Sequence, residues 1–193
     1  YLNFSHLDNA VHILSNSPER FLKLVDNNIE TKPIKGTIKR CLENKIIDRQ
    51  NAELLLKSEK DRAENIMIVD LMRNDLAKVC ELYSVRVPKL CALESYAGVH
   101  HLVSTVIGVL KKCHNAIDLL KVTFPGGSIT GAPKVEAMKV ISEIEGVRRG
   151  PYCGSIGYIG FDGDMDVSIS IRSMIINKDN TGFLQAGGAV TAK

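Results

Sequence analysis

The stretch Val167-Ser168-Ile169-Ser170-Ile171-Arg172 alternates strictly between apolar and polar side chains. Successive side chains of a β-strand point to opposite faces, so the apolar members share one face and the serines and Arg172 share the other. Turn sequences lie on both sides, Asp162-Gly163 before it and Asn180-Thr181-Gly182 after it. The pattern predicts three antiparallel strands joined by these turns, with Arg172 on a polar face.

A long helix is predicted upstream, from Ser58 to Val79. Ser58 and Asp61 resemble a capping box, although that motif prefers Glu or Gln at its last position. The middle of the segment, Ile66-Met67-Ile68-Val69, is apolar on nearly every side. A helix of this kind is buried by its neighbours, so we expect it in the core.

A second helix is predicted to open at Thr130, with Pro133 in its first turn and apolar residues at helical spacing up to Ile144. A weaker helix is predicted over 48–57, and strands over 10–15, 21–25, 84–88 and 99–110. Helices and strands do not alternate in the βαβ rhythm of a parallel sheet. The sequence therefore predicts an α+β fold.

Composition excludes several functions. The 193 residues carry a net charge of +3 and no dense basic stripe, so we expect no nucleic-acid partner. No apolar run reaches about 18 residues, so we expect no membrane association. The five cysteines include no C-x-x-C pair, which favours a reducing cytoplasm over a disulfide framework. The chain begins at Tyr1 without a methionine, and we expect it to be a piece of a longer protein.

A glycine-rich segment precedes the second helix: Phe124-Pro125-Gly126-Gly127-Ser128-Ile129-Thr130-Gly131-Ala132-Pro133-Lys134. Backbone N–H groups at a helix start can bind an anion, and the helix dipole favours negative charge there. A tight loop followed by a capped helix is the alternative. Asp61 and Glu64 lie three residues apart on one helix face and could hold Mg²⁺. Their alternative is a capping Asp and a solvated Glu.

Three further residues have a catalytic and an ordinary interpretation. Lys35 lies beside a proline bend and is a nucleophile if it is desolvated. Glu19 follows Pro18 and is a proton donor if it is buried. Arg172 could bind a carboxylate with two hydrogen bonds. Each of the three could equally be a surface charge, and the His100-His101 pair lacks metal-ligand spacing. Together the set is typical of an enzyme that acts on a small carboxylate.

The chain resembles the chorismate-utilising enzymes, a family that includes anthranilate, aminodeoxychorismate, isochorismate and salicylate synthases. The resemblance covers essentially all 193 residues. The motifs that carry it follow one another in fixed order: Ser17-Pro18-Glu19-Arg20-Phe21, Pro33-Ile34-Lys35-Gly36-Thr37, Lys60-Asp61-Arg62-Ala63-Glu64-Asn65, Val69-Asp70-Leu71-Met72-Arg73-Asn74-Asp75, His100-His101-Leu102-Val103-Ser104, Phe124 to Lys134, Cys153-Gly154-Ser155-Ile156-Gly157-Tyr158 and Gly187-Gly188.

Lys35 distinguishes the branches of this family. Anthranilate and salicylate synthases usually carry alanine there, whereas aminodeoxychorismate synthases carry lysine. The resemblance implies that the Lys35 amine adds to C2 of chorismate and expels the C4 hydroxyl, after which ammonia attacks C4 and expels the lysine. Splitting one hard displacement into two easier ones is the usual benefit of covalent catalysis. Anthranilate synthase and a non-catalytic chorismate-binding fragment remain as alternatives.

The resemblance also implies roles for other positions. Glu19 is similar to the general acid, His101 to the active-site histidine, and Glu64, with Asp61 nearby, to the ligands of a Mg²⁺ cofactor. The remaining residues resemble the chorismate pocket: Thr130, Tyr152, Gly157, Arg172 and Gly187.

The implied fold is a pair of large antiparallel sheets packed face to face, with helices outside and the substrate between them. The implied partner is a glutamine amidotransferase subunit that supplies ammonia. The family continues past Gly187-Gly188 into a helix with further metal ligands and has a region before Tyr1. We therefore expect 1–193 to be one catalytic domain, incomplete at both ends.

Overall fold

The computed structural model describes residues 2–3 and 11–190. Its strands are β1 (Leu2–Asn3), β2 (Val11–Ser15), β3 (Arg20–Val25), β4 (Asn28–Thr31), β5 (Ile34–Lys39), β6 (Arg86–Ser95), β7 (Val99–Val109), β8 (Ser155–Ile159), β9 (Met165–Ile169), β10 (Ser173–Asn177) and β11 (Gly182–Leu184). Its helices are α1 (Lys45–Lys57), α2 (Glu59–Ala77), α3 (Ala116–Thr123) and α4 (Lys134–Ile144), with a 3₁₀ turn at Gly127–Ile129.

The strands form two antiparallel sheets with flanking helices, so the predicted α+β class is confirmed. The smaller sheet has the order β1-β2-β10-β11, and the larger has the order β5-β7-β4-β3-β9-β8 with β6 on the other edge of β7. The strand predicted over 10–15 is β2; residue 10 lies outside the described part of the chain. The strands predicted over 21–25, 84–88 and 99–110 correspond to β3, β6 and β7.

Strand β7 organises the larger sheet. Its second half pairs with β4 and its first half with β5, so the bend at Pro33 lets the chain continue along the same partner. In this register Thr37 lies opposite His101. The Pro33–Thr37 segment is thereby brought beside the buried histidine of β7.

Helix α2 packs across the larger sheet, and this packing forms the main core. Ile68, Met72 and Leu76 of α2 are almost fully buried against Leu22 and Val106 of the sheet. One face of α2 therefore lies in the core as predicted, whereas the opposite face, which includes Ile66, is exposed, so the helix is not buried on nearly every side. Ser58 caps α2 by accepting a hydrogen bond from the Asp61 backbone N–H at 3.3 Å.

The capping box is only half formed. The Asp61 carboxylate accepts its 2.5 Å hydrogen bond from the Ser58 hydroxyl rather than from the Ser58 backbone N–H. That N–H instead bonds to the Leu55 carbonyl at the end of α1. Consecutive helices thus share Ser58 as the end of one and the start of the next.

The prediction of three joined strands near the C-terminus was wrong. Two hairpins lie there, β8–β9 in the larger sheet and β10–β11 in the smaller one. Strand β9 ends at Ile169, and the chain crosses between sheets through Ile171 and Arg172, whose φ is 49°. The apolar alternation continues through this break, so the sequence pattern did not reveal it. Arg172 is consequently exposed in a bend and not on a strand face.

The start of the second helix was also predicted too early. Residues 127–129 form the 3₁₀ turn, and α4 begins at Lys134 with Pro133 in extended conformation at its N-cap. A residue before proline is disfavoured in helical conformation, which explains why the helix does not extend back to Thr130. The described helices include none long and apolar enough to cross a membrane.

Candidate active site

Glu19 and Lys35 lie next to each other beside the glycine-rich turn. Glu19 immediately precedes β3 and is 6% exposed, while Lys35 is the second residue of β5. The Lys35 Nζ donates a hydrogen bond to the main-chain carbonyl of Ser128 at 3.4 Å. Burial raises the pKa of Glu19 to about 7; the Ser128 side chain, the Lys35 charge and the Ile34 backbone N–H partly oppose that rise. An acid with this pKa can donate a proton near neutral pH.

Asp61 and Glu64 both lie on α2, and α2 contacts β5 at Gly36, the residue after Lys35. Gly36 has a φ of 82°, and a Cβ on it would fall 2.9 Å from the Asp61 Cβ, so β5 and α2 touch at this point. Glu64, one turn further along, is 6% exposed. Its Oε1 is buried and has no hydrogen-bond partner in the described structure, and the exposed Lys60 ammonium lies 3.9 Å away. A buried carboxylate oxygen left unpaired is costly, so Glu64 suits a ligand that would satisfy it.

The two predicted metal ligands, Asp61 and Glu64, differ in the hydrogen bonding of their carboxylates. The Glu64 Oε1 has no hydrogen-bond partner and could bind a metal ion, whereas the Asp61 carboxylate already accepts a hydrogen bond from the Ser58 hydroxyl. Within residues 2–3 and 11–190, no three His, Cys, Asp or Glu side chains are grouped so that they could hold a metal ion. Mg²⁺ commonly binds through one or two carboxylates and completes its shell with water and substrate, and these residues fit that pattern.

His101 and Arg172 are brought together by the strand register and the bend. His101 is buried on β7, and its Nδ1 lies 2.8 Å from the Thr37 hydroxyl, with the Tyr96 ring edge-on at 5.6 Å. Burial first, and then the positive charge of Arg172, lower the pKa of His101. The imidazole is therefore neutral at pH 7, and a cation stands close to it. The Arg172 backbone carbonyl accepts from the Asn16 N–H at 3.1 Å, which ties the bend to the end of β2.

Thr130 follows the 3₁₀ turn, and its hydroxyl donates to the Gly126 carbonyl at 3.0 Å. The Lys134 ammonium folds back under the turn, where it bonds to Asp75 at 2.5 Å and to the Thr123 and Pro125 carbonyls at 2.8 Å each. These contacts fix the loop to α2. The lysine in the motif is therefore an internal anchor of the loop.

Tyr152, Gly187 and Gly157 are the other predicted pocket residues. A Cβ on Gly187 would lie 2.9 Å from the Tyr152 hydroxyl, so these two residues are close neighbours. Burial raises the pKa of Tyr152. Gly157 is exposed on β8, and a Cβ there would fall 2.0 Å from the Asp166 carbonyl. Its lack of a side chain is explained by close strand pairing.

Arg149 links these residues to the glycine-rich turn. Its Nη1 donates to the Ile129 carbonyl at 2.9 Å, and its charge acts on Tyr152. Arg149 and Ser128 were not singled out from the sequence as site residues. The only signals were the short basic run at 147–149 and the position of Ser128 inside the loop motif.

A cleft of about 330 Å³ opens beside Glu19. Its walls carry charges that pair with one another: Arg20 with Asp166 at 3.1 Å and Lys32 with Glu94 at 2.7 Å. Ser17, Pro18, Ile34 and Tyr96 are among the other lining residues. Glu19 therefore borders open space on one side although its side chain is buried.

Comparisons with known proteins give the family of the chain and similar proteins in it. The family model described as chorismate binding enzyme matches residues 1–193. Aminodeoxychorismate synthase component 1 of Salmonella typhimurium is 53% identical over 93% of this chain and 39% of its own length. Anthranilate synthase component 1 of Aquifex aeolicus is 45% identical over the whole of this chain and 38% of its own length.

A solved structure shares the fold. The crystal structure of anthranilate synthase component I from Streptococcus pneumoniae superimposes with a TM-score of 0.78 at 39% identity, covering 90% of this chain and 37% of that one. The chain belongs to the chorismate binding enzyme family. It spans about two fifths of the length of the curated relatives it matches.

Proposed function

We propose that the protein containing this chain is an aminodeoxychorismate synthase, which converts chorismate and ammonia into 4-amino-4-deoxychorismate. The observation that carries the proposal is the placement of the Lys35 amine beside the buried Glu19 carboxyl. Three relatives named aminodeoxychorismate synthase component 1 are 51–53% identical to this chain. Such an enzyme serves the synthesis of p-aminobenzoate and folate.

The chemistry divides into two displacements. In the first, the Lys35 nitrogen, through its lone pair, bonds to C2 of chorismate, both conjugated ring double bonds shift by one position, and the C4 hydroxyl leaves as water after Glu19 donates a proton. In the second, ammonia bonds to C4, both double bonds shift back, the lysine nitrogen leaves C2, and the surplus proton on the new amino group returns to the Glu19 carboxylate. Glu19 suits the donor role because burial keeps a substantial part of it protonated near pH 7.

Mg²⁺ fits as the cofactor because Glu64 has a buried oxygen without a partner. Glu64 would hold the ion, with Asp61 as the nearest second carboxylate. When bound, the ion would offset the repulsion between the substrate's carboxylates and these side chains.

The remaining predicted residues are proposed to bind and orient chorismate. Arg172 and Tyr152 would hold one carboxylate, and the neutral His101 would lie beside the ring. Thr130, Gly157 and Gly187 would shape the rest of the pocket. The Thr130 hydroxyl bonds within its own loop, and Gly157 is exposed.

The proposed partner is a glutamine amidotransferase component that releases ammonia, and the proposed compartment is the cytoplasm. The printed name "component 1" of the relatives implies a second component for those proteins. We propose the same arrangement here, with residues 1–193 as part of the catalytic domain.

The proposal is tested by product identification with the full-length gene product, chorismate, Mg²⁺ and ammonia. Mass spectrometry should detect 4-amino-4-deoxychorismate for the wild type and for Lys39→Ala, an exposed lysine of the same strand. Lys35→Ala should form none. Unchanged turnover by Lys35→Ala would remove the basis of the proposal.

Anthranilate synthase is the second candidate, favoured by the Aquifex aeolicus relative that matches the whole chain. That activity eliminates pyruvate and yields a fluorescent product. Fluorescence of anthranilate from the same reaction mixture would decide for it.

A further inference from the structure

We infer that Arg149 is a positioning residue for the proposed chorismate pocket, because its side chain joins the glycine-rich turn to the turn that carries Tyr152. The inference rests on the proposed function and deepens it, since Tyr152 and Arg172 are proposed there to hold a carboxylate of the substrate. Arg149 acts on the substrate through these residues and not by touching it.

The first observation is that the Arg149 guanidinium is held by two different groups. Its Nε and Nη2 donate to the Glu145 carboxylate, just after α4, at 2.7 and 2.5 Å. This two-point contact fixes the plane of the guanidinium, which leaves Nη1 directed at the Ile129 carbonyl at 2.9 Å. Ile129 ends the 3₁₀ turn and immediately precedes Thr130. The side chain of Arg149 therefore reaches the end of the glycine-rich turn.

The second observation is that the main chain of Arg149 begins the turn that carries Tyr152. The Tyr152 N–H donates to the Arg149 carbonyl at 3.1 Å, which closes this turn. The Tyr152 hydroxyl lies where a Cβ on Gly187 would fall 2.9 Å from it. A displacement of Arg149 would therefore move Tyr152 relative to the segment that faces it.

The third observation is that the Tyr152 turn is bonded to the crossing segment that leads to Arg172. The Cys153 N–H donates to the Ser170 carbonyl at 2.8 Å, and the Ser170 N–H donates to the Gly154 carbonyl at 2.9 Å. Ser170 is fully buried and lies two residues before Arg172. Tyr152 and Arg172 thus belong to one hydrogen-bonded unit. The Arg149 side chain links this unit to the turn before α4.

An ordinary surface ion pair of this chain shows what is special about Arg149. Arg49 and Glu53 have the same spacing along a helix, but the Arg49 side chain is 83% exposed, against 24% for Arg149. Exposed pairs of this kind contribute little to stability. Arg149 makes a third bond, to a carbonyl 20 residues away in the sequence. Its loss should let the two turns shift relative to each other, which would weaken the binding of chorismate across them.

The test measures chorismate binding by calorimetry, with the full-length gene product and Mg²⁺ but without ammonia. Arg149→Ala should raise the Kd by about tenfold, the usual effect of losing a hydrogen bond from a charged group. With ammonia added, KM should rise while kcat changes much less, because the lost contacts serve ground state and transition state alike. Arg49→Ala is the matched control and should bind chorismate as the wild type does.

Chemical rescue separates positioning from general stability. Arg149→Ala leaves a partly exposed space beside Glu145 that a small planar cation could enter. Millimolar methylguanidinium should therefore restore most of the lost affinity. Urea, which is planar but neutral, should restore much less because it cannot pair with Glu145. If the variant were merely destabilised, guanidinium-type ions would not help, since they favour unfolding.

A wild-type Kd in the folded Arg149→Ala protein would overturn the inference, and so would a loss of affinity that methylguanidinium leaves unchanged. If Arg149→Ala does not fold, Arg149→Lys provides the test, because a single ammonium cannot reproduce both contacts and should also raise the Kd. The proposed function fails on a different result. A wild type that binds chorismate but forms no 4-amino-4-deoxychorismate would overturn that function and leave the comparison of affinities intact.

Discussion

Two buried carboxylates of α2 stand in opposite situations. Asp75, near the end of the helix, is 3% exposed and bonds to the ammonium groups of Lys134 at 2.5 Å and Lys78 at 2.8 Å. Glu64, three turns earlier, is equally buried but keeps an oxygen without a hydrogen-bond partner. The Asp75 carboxylate ties the glycine-rich turn to α2, whereas the Glu64 Oε1 has only the exposed Lys60 ammonium nearby, 3.9 Å away.

The largest expected effect is a loss of stability when the hydrogen-bonded carboxylate of Asp75 is removed. Asp75→Ala would leave the Lys134 ammonium buried without its counter-ion under the glycine-rich turn. Breaking a buried pair by removing one partner costs about 3–5 kcal/mol in the free energy of unfolding. Urea denaturation should show this loss. A variant as stable as the wild type would mean that Asp75 is no anchor.

Glu19 extends the comparison to a buried carboxyl outside the helix. Its pKa is raised from 4.5 to about 7 by burial, so the folded state binds a proton more tightly than the unfolded state does. Stability should then be unaffected below about pH 4 and should fall as pH rises from about 4.5 to 7.

Glu19→Gln removes this penalty. We expect the variant to exceed the wild type by about 3 kcal/mol at pH 8 and to match it at pH 4. It should lose amination activity at both values. Denaturation curves at the two pH values provide the measurement, and equal stability at pH 8 would show that Glu19 is solvated.

Glu64→Gln tests the carboxylate whose buried oxygen lacks a hydrogen-bond partner. Replacing a carboxylate whose buried oxygen has no hydrogen-bond partner should leave stability equal or slightly higher, in contrast with Asp75→Ala. Activity at fixed Mg²⁺ should fall on the order of 100-fold, because metal ions supply several kcal/mol of charge stabilisation. Titration of activity with Mg²⁺ checks the second point. A large loss of stability with normal Mg²⁺ dependence would reverse the assignment.

The smallest expected effect concerns Asp61, another acidic residue of α2. Ser58 caps the helix and occupies the Asp61 carboxylate. Ser58→Ala should cost about 1 kcal/mol, the usual value of an N-cap. It should also leave Asp61 free to approach a metal ion, which would lower the Mg²⁺ concentration for half-maximal activity. Thermal denaturation and the same Mg²⁺ titration measure both effects.

The sequence predicted local structure better than its arrangement. Helix α2 was predicted from its apolar middle, β7 from its β-branched residues and β9 from the alternation of apolar and polar residues. The break after Ile169 left no trace, since Ile171 continues the alternation while the backbone turns into the other sheet. Long-range pairings such as Arg20 with Ser168 depend on the whole chain and cannot be derived from local pattern.

The candidate site could also be predicted from the sequence only in part. The residue type alone shows that Lys35 carries an amine and that Glu19 and Glu64 carry carboxyl groups. The family resemblance supplied their roles. The Ser128 carbonyl and the Ile129 carbonyl act through the main chain, which every residue possesses. Their partners, Lys35 and Arg149, could therefore not be matched to them without coordinates.

The central claim is that the Lys35 amine, held beside Glu19, bonds to the substrate ring. The most direct measurement is peptide mass spectrometry of the full-length gene product after incubation with chorismate and Mg²⁺ without ammonia. The account predicts that Lys35 gains the mass of chorismate less one water and that ammonia then removes it. An unmodified Lys35 in a sample that still forms aminated product once ammonia is added would contradict the account.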